Sequence, residues 1–250
     1  PKKVIVNGSL GTSKNSLITS GKSVSVEGPQ ISNSGTIKAV HQIVVTGEES
    51  LTNSGRLISE ANSIVLRGKG GFNNKNEGLI KSAKALKVEG FKTLKSNFRA
   101  RLEAETTLTL NGQTIKDLGT TLAKDKIKIN GRTIVNSGIL WTNNTLAFNG
   151  VNFLNTGQIT ADRDIKSTFQ NLIENSGDIT SKTGTLTLKG SDLKNSGILK
   201  SHRALTSHFD QSVINTGTLE SETEALIVRG MTSFKNGGKG LLKAGKALLG

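Results

Sequence analysis

One acidic pair in the chain has a spacing that hydrolytic chemistry could use, Asp162-Arg163-Asp164. Polysaccharide-cleaving sites employ clustered carboxylates as general acid and base or as metal ligands. On a strand, alternation would put Asp162 and Asp164 on one face and Arg163 on the other. No long insertion flanks them, so the expectation is ordinary outward charge near a corner, and the chain is expected not to be an enzyme. His41, His202 and His208 are the three histidines. His202 and His208 lie close in sequence, but two ligands without a further carboxylate or thiolate are too few to hold a metal. The absence of cysteine excludes disulfides, thiolate metal sites and cysteine nucleophiles. No metal and no cofactor is expected.

A second constellation points to binding. Phe169 and Phe209 are forty residues apart, and Arg163 and Arg203 precede them at the same offset. Both Phe stand where the surrounding pattern expects glycine. They fill core space left by that glycine, or they form an exposed aromatic and cationic ladder able to hold a glycan or protein ligand. On the second alternative, Phe169, Phe209, Arg163 and Arg203 are the candidate ligand-binding residues. The formal net charge of +14, from 33 Lys and Arg against 19 Asp and Glu, favours anionic partners. The basic residues are scattered and not interleaved with stacking aromatics, so nucleic acid is not expected as a partner. No apolar run reaches the ~18 residues needed to span a bilayer.

Whatever these residues do, a repeat must position them. Asn-Ser-Gly or Asn-Thr-Gly begins at Asn33, Asn53, Asn136, Asn155, Asn175, Asn195 and Asn215, with looser copies at Asn76 and Asn236. One period before Asn33 only Asn15 is kept. An apolar residue followed four places later by Gly keeps step with the tripeptide, as in Val24/Gly28, Ile64/Gly68, Leu146/Gly150 and Leu186/Gly190. A third mark lies two residues before the Asn: Ile31, Leu51, Ile134, Phe153, Ile173, Leu193, Val213 and Phe234. Between the marks, apolar and polar residues alternate at period two with Thr, Val and Ile, which is strand chemistry. The Asn and Gly of the tripeptide read as a turn that tolerates positive φ.

Three short strands in one period of about twenty residues cannot bury their apolar faces alone, but stacked periods can. The expected fold is all-β, a right-handed parallel β-helix (a solenoid) of about twelve ~20-residue coils with three short strands per coil. Adjacent coils should lie ~4.8 Å apart, and the recurrent Asn should form a hydrogen-bonded ladder at one corner. Residues 1–250 read as a single β-helix segment, with degenerate coils over 91–125 and two copies of a forty-residue double coil over 161–240. Coil lengths of about 19 to 23 leave no room for a cleft wall.

Residues 175–190 read Asn175-Ser176-Gly177-Asp178-Ile179-Thr180-Ser181, then Leu186-Thr187-Leu188-Lys189-Gly190. This pattern resembles the filamentous haemagglutinin repeat of large bacterial exoproteins exported by two-partner secretion. The resemblance covers nearly the whole chain and is weakest between about 91 and 125. It implies a structural or adhesive fibre segment, secreted or on the bacterial cell surface, with two kinds of partner: an outer-membrane two-partner secretion transporter and a cell-surface glycan or protein receptor. The same family includes the rigid stalks of contact-dependent growth inhibition toxins, which is the first alternative. A β-helix polysaccharide lyase or hydrolase is the second.

Overall fold

The computed structural model describes residues 3–249, and every regular element in it is a β-strand. The strands stack in parallel as a β-solenoid of about twelve turns. Two compact units divide the chain, residues 1–129 and 130–250. In the second, a coil consists of Leu186–Gly190, Asp192–Asn195 and Ile198–Ser201. In the first, the opening two strands of a coil run together, as in Ile43–Asn53, and Arg56–Ser59 completes it.

Alternation decides what each coil buries. In the second unit Ile165, Leu186, Leu205 and Leu226 stack in register on the first strand. Ile173, Leu193 and Val213 stack on the second, and Ile179, Leu199 and Leu219 on the third. All ten are buried. The first unit repeats the arrangement with Val24, Ile43 and Ile64, then Ile31, Leu51 and Phe72, then Ile37, Leu57 and Ile80. Each strand hydrogen-bonds its copy in the next coil, so a coil that would be unstable alone gains a continuous apolar column.

The Asn corner is built differently from the expected turn. None of the Asn in the Asn-Ser-Gly and Asn-Thr-Gly tripeptides and none of their Gly has positive φ; of the looser copies, Asn76 (φ 57°) and Gly238 (φ 63°) do. Asn is there for its amide. Asn155 Nδ2 donates to Asn175 Oδ1, Asn175 to Asn195 and Asn195 to Asn215, at 2.8, 2.8 and 2.7 Å. The same Nδ2 also donates to the carbonyl two residues on, as from Asn175 to Gly177 O at 2.9 Å. Gly is there for clearance: a Cβ on Gly177 would sit 2.1 Å from Gly157 O, one coil away.

In the first unit the ladder runs Asn33, Asn53, Asn74, and two of its expected positions move. The copy placed at Asn76 belongs to Asn74; Asn76 instead turns the chain at φ 57°. The position given to Asn15 belongs to Thr12, whose hydroxyl donates to Asn33 Oδ1 at 2.7 Å. The degenerate stretch folds as further coils in which Ser96 and Leu118 succeed Asn74 in the column. There Thr121 takes the core place of Leu102, and its hydroxyl is satisfied by Leu118 O at 2.7 Å.

Leu188 is fully buried while its neighbour Thr187 is half-exposed. Leu188→Asp should place an unpaired carboxylate in the column and lower stability by about 3 kcal/mol or more, whereas Thr187→Asp should cost under about 1 kcal/mol. Chemical denaturation of the two variants checks the register; equal losses would contradict it.

Candidate functional site

The proposed aromatic ladder is not on the surface. Phe169 and Phe209 are 2% and 0% exposed, which removes them as ligand contacts. Both occupy the register of a corner glycine, in a column that alternates Gly150, Phe169, Gly190, Phe209, Gly230 along successive coils. Each ring turns inward beneath the glycine of the preceding coil. A Cβ on Gly150 would come within 2.9 Å of the Phe169 ring, and one on Gly190 within 3.1 Å of the Phe209 ring. Phe169 stacks on Phe153 with ring centroids 5.2 Å apart. The added volume is offset two residues earlier: Ser167 and Ser207 stand in register with Leu188, on the strand face where the glycine-cornered coil carries its leucine. Both serine hydroxyls are buried without a partner.

Arg163 and Arg203 remain exposed but no longer border an aromatic surface. Arg203 Nε bonds Glu224 Oε1 at 3.0 Å, and that bond raises its pKa. Arg163 lends its carbonyl to Ser181 Oγ at 2.6 Å. Asp162, Arg163 and Asp164 form a bend between Gln158–Ala161 and Ile165–Phe169, not a strand face. Asp162 lies 3.3 Å from Lys182 Nζ. Asp164 Oδ1 accepts from Thr185 N and Thr185 Oγ1, both at 2.9 Å. The backbone bond is the main cause holding Asp164 below its ordinary value, the opposite of what a general acid requires. His202 Nδ1 contacts Glu222 Oε2 at 2.8 Å, and His208 is exposed. Among the described residues, no three His, Cys, Asp or Glu gather as a metal site.

A concave surface does exist in the first unit, and differences in corner length make it. From Asn33 to Thr36 and from Asn53 to Arg56 the corner takes three residues, the common step. From Thr12 to Leu17, from Asn74 to Leu79 and from Ser96 to Arg101 it takes five. Two low corners therefore lie between raised ones, and a groove of about 830 Å³ runs across them. Its floor is Ser34, Gly35, Ser54 and Gly55. One wall is the Ser13–Ser16 turn, held by Ser16 N to Ser13 O at 3.0 Å, with Lys14 on it. The other carries Asn76 and Glu77, then Arg99 and Arg101. The expectation that coils this short leave no room for a wall is thus corrected: two extra residues per corner suffice.

The groove is mostly cationic. Lys14, Arg56, Arg99 and Arg101 line it against one lining carboxylate, Glu77. Arg101 bonds Glu103 at 2.5 Å, whereas Lys14, Arg56 and Arg99 have no carboxylate partner among the described residues. Beside Arg99, Phe98 is 82% exposed at the tip of the Asn97–Ala100 bulge. Gly119 makes the bulge possible. It adopts φ 49°, and a Cβ there would meet Asn97 O at 2.4 Å and Ala100 O at 2.6 Å. Charge and periodicity alone missed this site, because its residues come from five different coils. The signal was the longer step from Asn74 or Ser96 to the next inward residue, Ile80 or Leu102.

A second hollow of about 600 Å³ in the other unit has Arg132 as its single charged lining residue and includes buried Phe169. Comparison of the chain with protein-family models, with curated proteins and with solved structures gives no match.

Phe209→Gly should destabilise the stack by about 3–5 kcal/mol, as large-to-small core changes do. Adding Ser207→Leu should recover a substantial part of that loss, since it restores the leucine-with-glycine pairing of the neighbouring coil. Thermal unfolding of the single and double variants reads both effects; a stable single variant would return Phe209 to the surface.

Proposed function

We propose that the chain is a structural and adhesive segment of a secreted bacterial surface fibre. The single observation that carries this reading is the cationic groove on a regularly stacked scaffold, in which Lys14, Arg56 and Arg99 have no carboxylate partner among the described residues. A solenoid supplies length and fixes side chains at known intervals, and cations left without carboxylates are free to meet an anionic surface. The partners on this reading are an acidic cell-surface glycan or protein receptor and, during export, an outer-membrane two-partner secretion transporter. Freedom from cysteine suits unfolded passage through such a pore, because no disulfide can form early. The engaged state of Asp162 and Asp164 supports a non-enzymatic role.

Binding of the chain to immobilised heparin and to cell surfaces tests the reading. Attachment should be measurable at low salt and fall steeply toward a few hundred millimolar, where the Debye length is roughly 5 Å. Attachment indifferent to salt would argue against electrostatic adhesion. No attachment at any salt would favour a passive stalk, as in contact-dependent growth inhibition toxins.

A further inference from the structure

Resting on the adhesive reading, the geometry points to a narrower ligand: we propose that the groove of the first unit binds a linear, carboxylate-bearing glycan, a polyuronate chain. Arg56 and Arg101 project from one column of the third strand, with Leu79 between them. They are therefore two coils apart, about 9.6 Å, close to the span of two sugar residues in an extended chain. Arg99 adds a third guanidinium on the raised wall, and Lys14 stands at the opposite end. Guanidinium groups are planar forks that match a carboxylate with two parallel hydrogen bonds, which a compact ammonium cannot do. A polymer with a carboxylate on each residue can present one to Arg56 and another to Arg101 without bending, the second in exchange for the Glu103 carboxylate that Arg101 bonds in the unliganded chain.

The remaining surface fits sugar better than nucleic acid or peptide. The floor offers Ser34 and Ser54 hydroxyls and the backbone of two glycines, partners suited to ring hydroxyls. Ser54 Oγ already donates to Ser34 Oγ at 3.1 Å, so the floor is a pre-formed polar line along the stack. Phe98, next in sequence to Arg99, is a single exposed ring, too little for the successive stacking that single-stranded nucleic acid uses. Leu79 is the one large apolar lining residue, set between Arg56 and Arg101, where it can meet the C–H face of a sugar ring. Glu77, on the raised wall, is the one acidic lining residue and on this proposal would accept hydrogen bonds from ring hydroxyls.

The test is calorimetric titration of the whole chain with an oligogalacturonate of about eight residues, compared with its methyl-esterified form, a dextran sulfate fragment (sulfated but free of carboxylates) and a duplex DNA of similar charge. Two double variants remove equal charge, R56A/R99A from the groove and K189A/R229A from the other unit, where both residues are exposed. Far-ultraviolet circular dichroism and melting verify that each stays folded. The expected result is at least a tenfold loss of oligogalacturonate affinity in R56A/R99A, less than twofold in K189A/R229A, and no binding of the ester. F98S should weaken binding by a smaller factor without altering the melting temperature. Equal losses in the two double variants would overturn the groove while leaving diffuse electrostatic adhesion in place. Equal or tighter binding of dextran sulfate or DNA at the groove would overturn the carboxylated glycan as its ligand. Failure of every anionic probe to bind the parent chain would overturn both readings together.

Discussion

A buried amide side chain has donors and an acceptor that water no longer reaches, and in this protein each one is completed by its copy one coil away. The ladders Asn33–Asn53–Asn74 and Asn136–Asn155–Asn175–Asn195–Asn215–Asn236 apply that constraint at one corner of the stack. An amide of this kind accepts one register only, because a slip by one residue would leave donors and acceptors unpaired in the interior. The backbone reinforces it: the N–H groups of Ser176 and Gly177 both donate to Asn155 O, at 2.9 and 3.2 Å. Coil length can then vary at the corners without disturbing the columns of Ile, Leu and Val.

The corner between the first and second strands obeys a volume rule. Glycine admits a close approach, and phenylalanine is tolerated where glycine stands on both sides of it. Gly68, Phe91 and Gly112 show this in the first unit, where a Cβ on Gly68 would lie 2.3 Å from the Phe91 ring. The second unit uses the rule twice, and with it Ser167 and Ser207 in register with Leu188, so that the smaller serine partly offsets the larger phenylalanine while the distribution of volume alternates. A forty-residue pattern in sequence is therefore the trace of a packing requirement between coils and not of a ligand site.

Function follows from what the columns leave free. Because the corners after the Asn ladder are outside the core, two residues can be added there at little cost to the stack. Thr12, Asn74 and Ser96 begin such longer corners, and the shorter ones after Asn33 and Asn53 become the floor between them. Lys14, Arg56 and Arg99 on these corners escape the ion pairs common elsewhere on the surface, such as Lys38 with Glu60 or Lys200 with Glu222. A regular scaffold thus acquires a local, charged concavity without a dedicated loop.

The sequence by itself determined the architecture and most of its register. The tripeptide from Asn136 to Asn215, the Leu-x-Leu-x-Gly strands and the inward residues before each Asn are local patterns with a fixed period, and period two allows only one buried face. It left open the direction of Phe169 and Phe209, since a ring at a corner points inward or outward according to the room in the neighbouring coil. It misplaced Asn15 and Asn76, because a repeat counted along the chain cannot tell a ladder amide from a residue in a lengthened corner. The groove was decided by tertiary structure alone. Lys14, Arg56, Arg99 and Arg101 are far apart in sequence, and only stacking in register brings coils of unequal corner length side by side.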